Sequence, residues 1–258
     1  MKLRLLLGLC TVVAMLALPA VAQADPFVGP PICDTAGKAL FGTYGSLAVW
    51  GDAYVPAGKT LTVRGNLTIK HGACLDAFTL GTVHVGRNIY VDRGAVLALG
   101  CTPESIGPVP PCGTTTTNDT VGHSIFADHP LTMYLDGNTI GRNVVSVGGG
   151  PGAHGDFLNF PIKDNTIHGN VFLFGWKGLW MGLIRDTVGG SVWVMGNRAA
   201  DTSTLPGSDS TEIQTNDISG NLICLGNSPA AQVNALDGGQ PNHVGGNAFG
   251  ECAGLTTG

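Results

Sequence analysis

The residues best suited to acid–base or cation chemistry in this 258-residue chain are Asp136, Arg142, Lys163, Asp164, Arg185 and Asp186. Carboxylates gathered on one face can bind Ca²⁺ or divide into a general acid and a general base, with a nearby Arg or Lys as a further catalytic group. Asp164 and Arg185 are the pair on which such chemistry would centre. A second set suits recognition: Phe172, Phe174, Trp176, Trp180 and Trp193 are aromatic anchors, and the tryptophans could be stacking platforms for sugar rings. Seven histidines scatter through the chain, and neither they nor the cysteines show metal-ligand spacing, so no metal and no cofactor is expected.

Whatever positions these residues is repetitive. An aliphatic residue followed three positions later by Asn or Ser recurs at Val63/Asn66, Val85/Asn88, Val121/Ser124, Ile140/Asn143, Ile167/Asn170, Val188/Ser191, Ile218/Asn221 and Val244/Asn247, with Gly inside every copy. Two residues before the aliphatic position, the last six copies carry Asp119, Asn138, Asn165, Asp186, Asn216 and Asn242. Short strands separated by Gly/Asx turns, repeating in units of this size, suit a parallel β-helix whose coils stack at the ~4.8 Å strand spacing. Equivalent Asn side chains then form ladders at the corners, so Asp186 reads as a ladder member.

Aligning the coils separates inside from outside. The residue after each Asn/Ser is Leu67, Ile89, Ile125, Val144, Val171, Val192, Leu222 or Ala248, an apolar core column. The next residue and the one two further on point outward. On the later coils both are apolar, giving a stripe of Val145, Val147, Phe172, Phe174, Trp193, Met195, Ile223 and Leu225. Monomers rarely leave so much contiguous apolar surface bare. The excursions 148 to 161 and 197 to 209, or the non-repeating segment 26 to 48, could fold over it as lids, or a subunit partner or a glycan could cover it.

The phrases "DNTIHGNVF" and "TNDISGNLI" resemble the repeats of right-handed parallel β-helix proteins of the pectate-lyase-like superfamily, over about residues 63 to 249. That resemblance implies an all-β solenoid, and the eight copies of the repeat give it about eight coils. It also implies a polysaccharide lyase or glycoside hydrolase as one possible activity, with Asp164 and Arg185 at its centre. The hydrolase pattern of an Asp pair, Gly-His-Gly and Arg-x-Lys is not reproduced, which favours a non-catalytic protein that binds a surface glycan or associates with itself.

Composition bounds the setting. Residues 1–24 have a basic start at Lys2 and Arg4, an apolar stretch from Leu5 to Leu18 and Ala22-Gln23-Ala24, the pattern of a cleaved export signal. Export to the cell envelope or exterior, without membrane insertion, is the expectation. Without that segment, 11 basic residues face 18 acidic ones, a formal charge of −7, so nucleic acid is a poor partner. Six cysteines remain, and three disulfides are expected: Cys33–Cys74, Cys101–Cys112 and Cys224–Cys252. Residues 25–48 read as an N-terminal cap, and 49–258 as one β-helix domain. Thr120, Thr139, Thr166 and Thr187 form an outward Thr column interrupted by His84, Asp217 and His243, too irregular for an ice-binding array.

Overall fold

The computed structural model describes residues 33, 37–78, 80–103, 115–151, 159–199, 211–234 and 238–257. Among the described residues it is all β, with one short 3₁₀ turn at Glu251–Gly254. Successive strands visit three sheets in rotation, A then B then C, apart from a two-stranded sheet of Lys177–Gly178 and Arg198–Ala199 that follows sheet C on two circuits. Among the described residues the three hold eight, ten and nine strands. Every pairing between neighbouring circuits is parallel, for example Val144–Val147 on Val171–Phe174 in sheet C and Thr139–Ile140 on Thr166–Ile167 in sheet B. Stacked parallel strands in this cyclic order are the arrangement expected of a β-helix solenoid.

The inside is apolar by strict alternation. In sheet C, Leu67, Ile89, Ile125, Val144, Val171, Val192 and Leu222 stack as a fully buried column. Sheet B strands are short, with Thr outside and Ile or Val inside, as in Thr139–Ile140 and Thr187–Val188. Sheet A differs: Cys74–Ala77, Val96–Leu99, Thr132–Asp136 and Trp180–Ile184 are buried on both faces. A strand buried on both sides has no polar alternation, which hides its orientation from sequence.

Side-chain ladders join the circuits at the corners. At the B-to-C corner, Asn88 N–H donates to Asn66 Oδ1 (3.1 Å), Asn170 N–H to Asn143 Oδ1 (2.8 Å) and Asn247 N–H to Asn221 Oδ1 (2.8 Å). At the A-to-B corner, both Asn138 nitrogens donate to Asn165 Oδ1, both Asn165 nitrogens to Asp186 Oδ1, and Asp186 N–H to Asn216 Oδ1. A third ladder at the C-to-A corner joins Trp176 N–H to Asn197, Asn197 to Asn227, and Asn227 to Glu251. The repeat reading captured the first two columns and missed the third, although Gly196-Asn197 and Gly226-Asn227 mark it in the sequence.

The solenoid begins earlier than expected. Lys38–Ala39, Gly42–Tyr44 and Leu47–Val49 already pair into sheets A, B and C, so the second half of the segment read as a cap belongs to the sheets. Ser46 Oγ accepts Asn66 N–H at 3.2 Å and is that circuit's ladder residue. Tyr44-Gly45-Ser46 is one residue shorter than the other copies, which is why the spacing rule passed over it. The bonded pairs Cys33–Cys74 and Cys224–Cys252, with Cα atoms 5.7 and 5.3 Å apart, fit the expected pairing. Cys112, and with it the expected bond to Cys101, lies outside the described residues.

Candidate functional site

The outer face of sheet C carries the apolar stripe. Parallel register aligns Phe126, Val145, Phe172, Trp193, Ile223 and Phe249 in one column. Asp128, Val147, Phe174, Met195 and Leu225 align in the next. Phe126, Val147, Leu225 and Phe249 are exposed, while Val145, Phe172, Phe174, Trp193, Met195 and Ile223 are half-buried. Phe172 and Trp193 stack nearly parallel, centroids 4.5 Å apart and planes 10° apart, and Tyr90 and Phe126 repeat the arrangement at 5.7 Å. One face of each ring in these pairs is therefore taken up by its partner. Most of the excursions 148 to 161 and 197 to 209, the expected lids, lies outside the described residues.

Two of the expected platforms lie elsewhere. Trp176 is 1% exposed, in the core against Phe160, with ring centroids 5.3 Å apart. Trp180 is buried on the outer side of sheet A. Neither ring is open to stack on a ligand, which corrects their assignment as binding residues. Conversely, Trp50 is 78% exposed and Phe41 is exposed, with Lys70 and Lys59 ammonium groups 5.7 and 5.8 Å from their rings. They were missed because the repeat was aligned only from Val63 onward. Trp50 directly follows the first sheet C strand, so extending the alignment by one circuit would have put it on the outward columns.

The charged residues converge at the corner between sheets A and B. Asp136 and Lys163 are in register on adjacent strands, their charged atoms 3.6 Å apart and both side chains wholly buried. Asp164 and Arg185 follow their strands on successive circuits, both at positive φ (57° and 56°), where the chain turns sharply into the Asx ladder. Arg185 grips Asp164 with two hydrogen bonds of 2.7 and 2.6 Å, and Lys163 Nζ stands 4.0 Å from the same carboxylate. Thr102 donates its hydroxyl to Asp136 Oδ1 at 2.9 Å. Burial pushes the Lys163 ammonium below its usual range against the pull of Asp136 and Asp164.

Four of the six sequence candidates therefore meet. Asp186 is instead the next rung of the Asx ladder, and Arg142 stands on the B-to-C corner. Within the cluster each charge is held by another charge or a hydroxyl, and Asp136 and Lys163 have no solvent-facing surface. Such an arrangement holds the turns between circuits, because a buried charge is tolerated only when paired and hydrogen-bonded. Asp164→Asn is accordingly expected to lower stability by about 1–2 kcal/mol, the scale of hydrogen bonds to a charged group, in melts at pH 7. A loss below ~0.5 kcal/mol would equate the pair with an ordinary surface bridge.

Among the described residues no group of three or more His, Cys, Asp or Glu side chains is placed to hold a metal ion. No described helix is long and apolar enough to cross a membrane. Comparison with protein-family models, curated proteins and solved structures yields no match.

Proposed function

We propose that this chain is an exported, non-catalytic solenoid of the pectate-lyase-like kind whose sheet C face associates with a second copy of itself. The observation that carries the reading is the contiguous outward apolar face Val145, Val147, Phe172, Phe174, Trp193, Met195, Ile223 and Leu225. The four strands that carry this face, at ~4.8 Å and about four residues of width, make a flat strip of roughly 250 Å² per partner, or ~500 Å² in a self-pair, the size of a weak, reversible contact. A sugar ring would need an aromatic face turned to solvent. Phe172 and Trp193 give one face each to the other, and Trp176 and Trp180 are buried, so four of the five expected platforms are wholly or partly taken up, which weighs against the glycan reading. The lyase or hydrolase alternative would need accessible acid and base groups near Asp164 and Arg185, and that pair is locked together.

Sedimentation across a concentration series tests the reading. The wild-type chain should self-associate, and Trp193→Ala should weaken that association by ~2 kcal/mol, as truncating an interface anchor does. Its melting temperature should hardly change, since Trp193 is only half-buried. A stability loss of ~3 kcal/mol with unchanged assembly would instead identify Trp193 as covered by the chain's own segments and would overturn the proposal.

A further inference from the structure

The charge cluster at the A-to-B corner holds a lysine and a carboxylate in a setting that suits more than an ion pair. Asp136 and Lys163 are the last residues of adjacent parallel strands, in register and one turn of the solenoid apart. Lys163 Nζ stands 3.6 Å from Asp136 Oδ2, and neither side chain has any exposed surface. That separation is close to the ~3–3.5 Å at which reacting groups meet. Thr102 fixes the carboxyl group, its hydroxyl donating to Oδ1 at 2.9 Å and its N–H to Oδ2 at 3.3 Å. A second carboxylate, Asp164, has its Oδ2 4.0 Å from the same Nζ and is held in place by Arg185.

Two opposite charges shut away from water are costly to keep as ions. Passing one proton from Nζ to Asp136 leaves an amine facing a carboxylic acid, the two forms that condense to an amide. Burial already draws Lys163 toward the amine.

We infer that Lys163 and Asp136 become joined by an isopeptide bond formed within the folded chain. Nζ attacks Asp136 Cγ, and the carbonyl electron pair moves onto Oδ1, which accepts the Thr102 hydroxyl. Asp164 takes a proton from Nζ in the tetrahedral intermediate and passes it to the Oδ2 hydroxyl. The Cγ–Oδ2 bond then breaks, the pair on Oδ1 re-forms the carbonyl, and Oδ2 leaves as water. The chain loses one water and gains one amide, with no oxidant, reductant or cofactor involved. This link closes one turn of the solenoid into a covalent ring, between the circuits tied by Cys33–Cys74 and by Cys224–Cys252. It is independent of what the sheet C face associates with.

Tryptic mapping of the full chain, folded first and then reduced and denatured for digestion, tests the bond. Asp136 and Lys163 fall on the consecutive tryptic peptides 94–142 and 143–163. A joined Lys163 is no longer a cleavage site, so most of the material should appear as 94–142 linked to 143–177, lighter than their sum by one water. Fragmentation should place the join at Asp136 and Lys163. Lys163→Met, which has no nucleophile, should give 94–142 and 143–177 unlinked. Recovery of 94–142 and 143–163 from the wild type as separate peptides of full mass would overturn the inference. So would a loss of water carried by 94–142 alone, which marks closure of Asp136 onto the Gly137 nitrogen in place of the cross-link.

Discussion

Asp186→Asn is expected to make the protein more stable at neutral and mildly alkaline pH, and to leave it nearly unchanged near pH 4. Asp186 occupies an otherwise mostly Asn ladder: its Oδ1 accepts Asn165 N–H and Nδ2–H at 2.8 and 2.9 Å, as Asn165 Oδ1 does for Asn138. Each Asn rung also sends its amide to a sheet A carbonyl of the circuit before, Asn138 to Leu99, Asn165 to Leu135, Asn216 to Leu183 and Asn242 to Ile213. Register places the equivalent carbonyl for Asp186 at Ile162. A carboxylate has no hydrogen to offer it, and Asp186 Oδ2 is buried without a partner. Protonation restores the missing donor. Burial accordingly raises this carboxyl from 3.8 to about 8, with nearby Asp164 adding to the rise.

The sign follows from linkage. Between about pH 4 and pH 8 the folded chain keeps a proton that the unfolded chain releases, so this group's contribution to stability is complete below pH 4 and drains away as pH rises to about 8. Asn does not titrate. The gap between variant and wild type should therefore widen by ~1.4 kcal/mol per pH unit, to the order of 4 kcal/mol at pH 7. Asp119, raised by burial to about 7, contributes a similar slope to both proteins and cancels in the comparison. Denaturant melts at intervals from pH 4.5 to 8.5 measure the gap. Parallel profiles for the two proteins would show that Asp186 is ionised in the ladder.

Trp176→Ala should cost about 3–5 kcal/mol, the range for removing a large buried aromatic side chain. The indole fills the core beside Phe160 and donates Nε1–H to Leu131 O at 3.4 Å. The ring also lies so close to Gly178 that no side chain could stand there, so the surroundings have little freedom to refill the space. Urea melts of Trp176→Ala and Trp193→Ala side by side give a direct comparison, since the two tryptophans are one circuit apart but on opposite sides of the wall. Equal, small losses in both would contradict the placement of Trp176 inside.

Much of the fold is legible in the residues because a solenoid repeats its constraints. Asn66, Asn88, Asn143, Asn170 and Asn221 each answer the same need, an acceptor for the backbone N–H of the next rung, so one rule found them all. The core column from Leu67 to Leu222 was equally readable, since one-sided burial imposes alternation. Where a circuit changed length, as at Tyr44-Gly45-Ser46, the rule failed and Trp50 went unseen with it.

Single positions followed another logic. Trp176 and Trp193 look alike in sequence, and both stood among the apparent outward aromatics. The chain turns its corner at Gly175, φ 69°, and that turn carries Trp176 inside as the first rung of the third ladder while Trp193 stays on the strand's outer face. Asp164, Lys163, Asp136 and Arg185 could be chosen by type, but their meeting depends on which circuits stack. So does the stacking of Arg87, His123 and Arg142 on adjacent rungs, a basic row invisible in a chain with an acidic balance. The sequence by itself determined the repeat, the two ladders and the inward column, because those are local periodicities enforced at every turn. Only the tertiary structure decided which charges pair, which tryptophan is buried and where positive charge collects, because these depend on residues 19 or more positions apart being brought to the ~4.8 Å spacing of stacked strands.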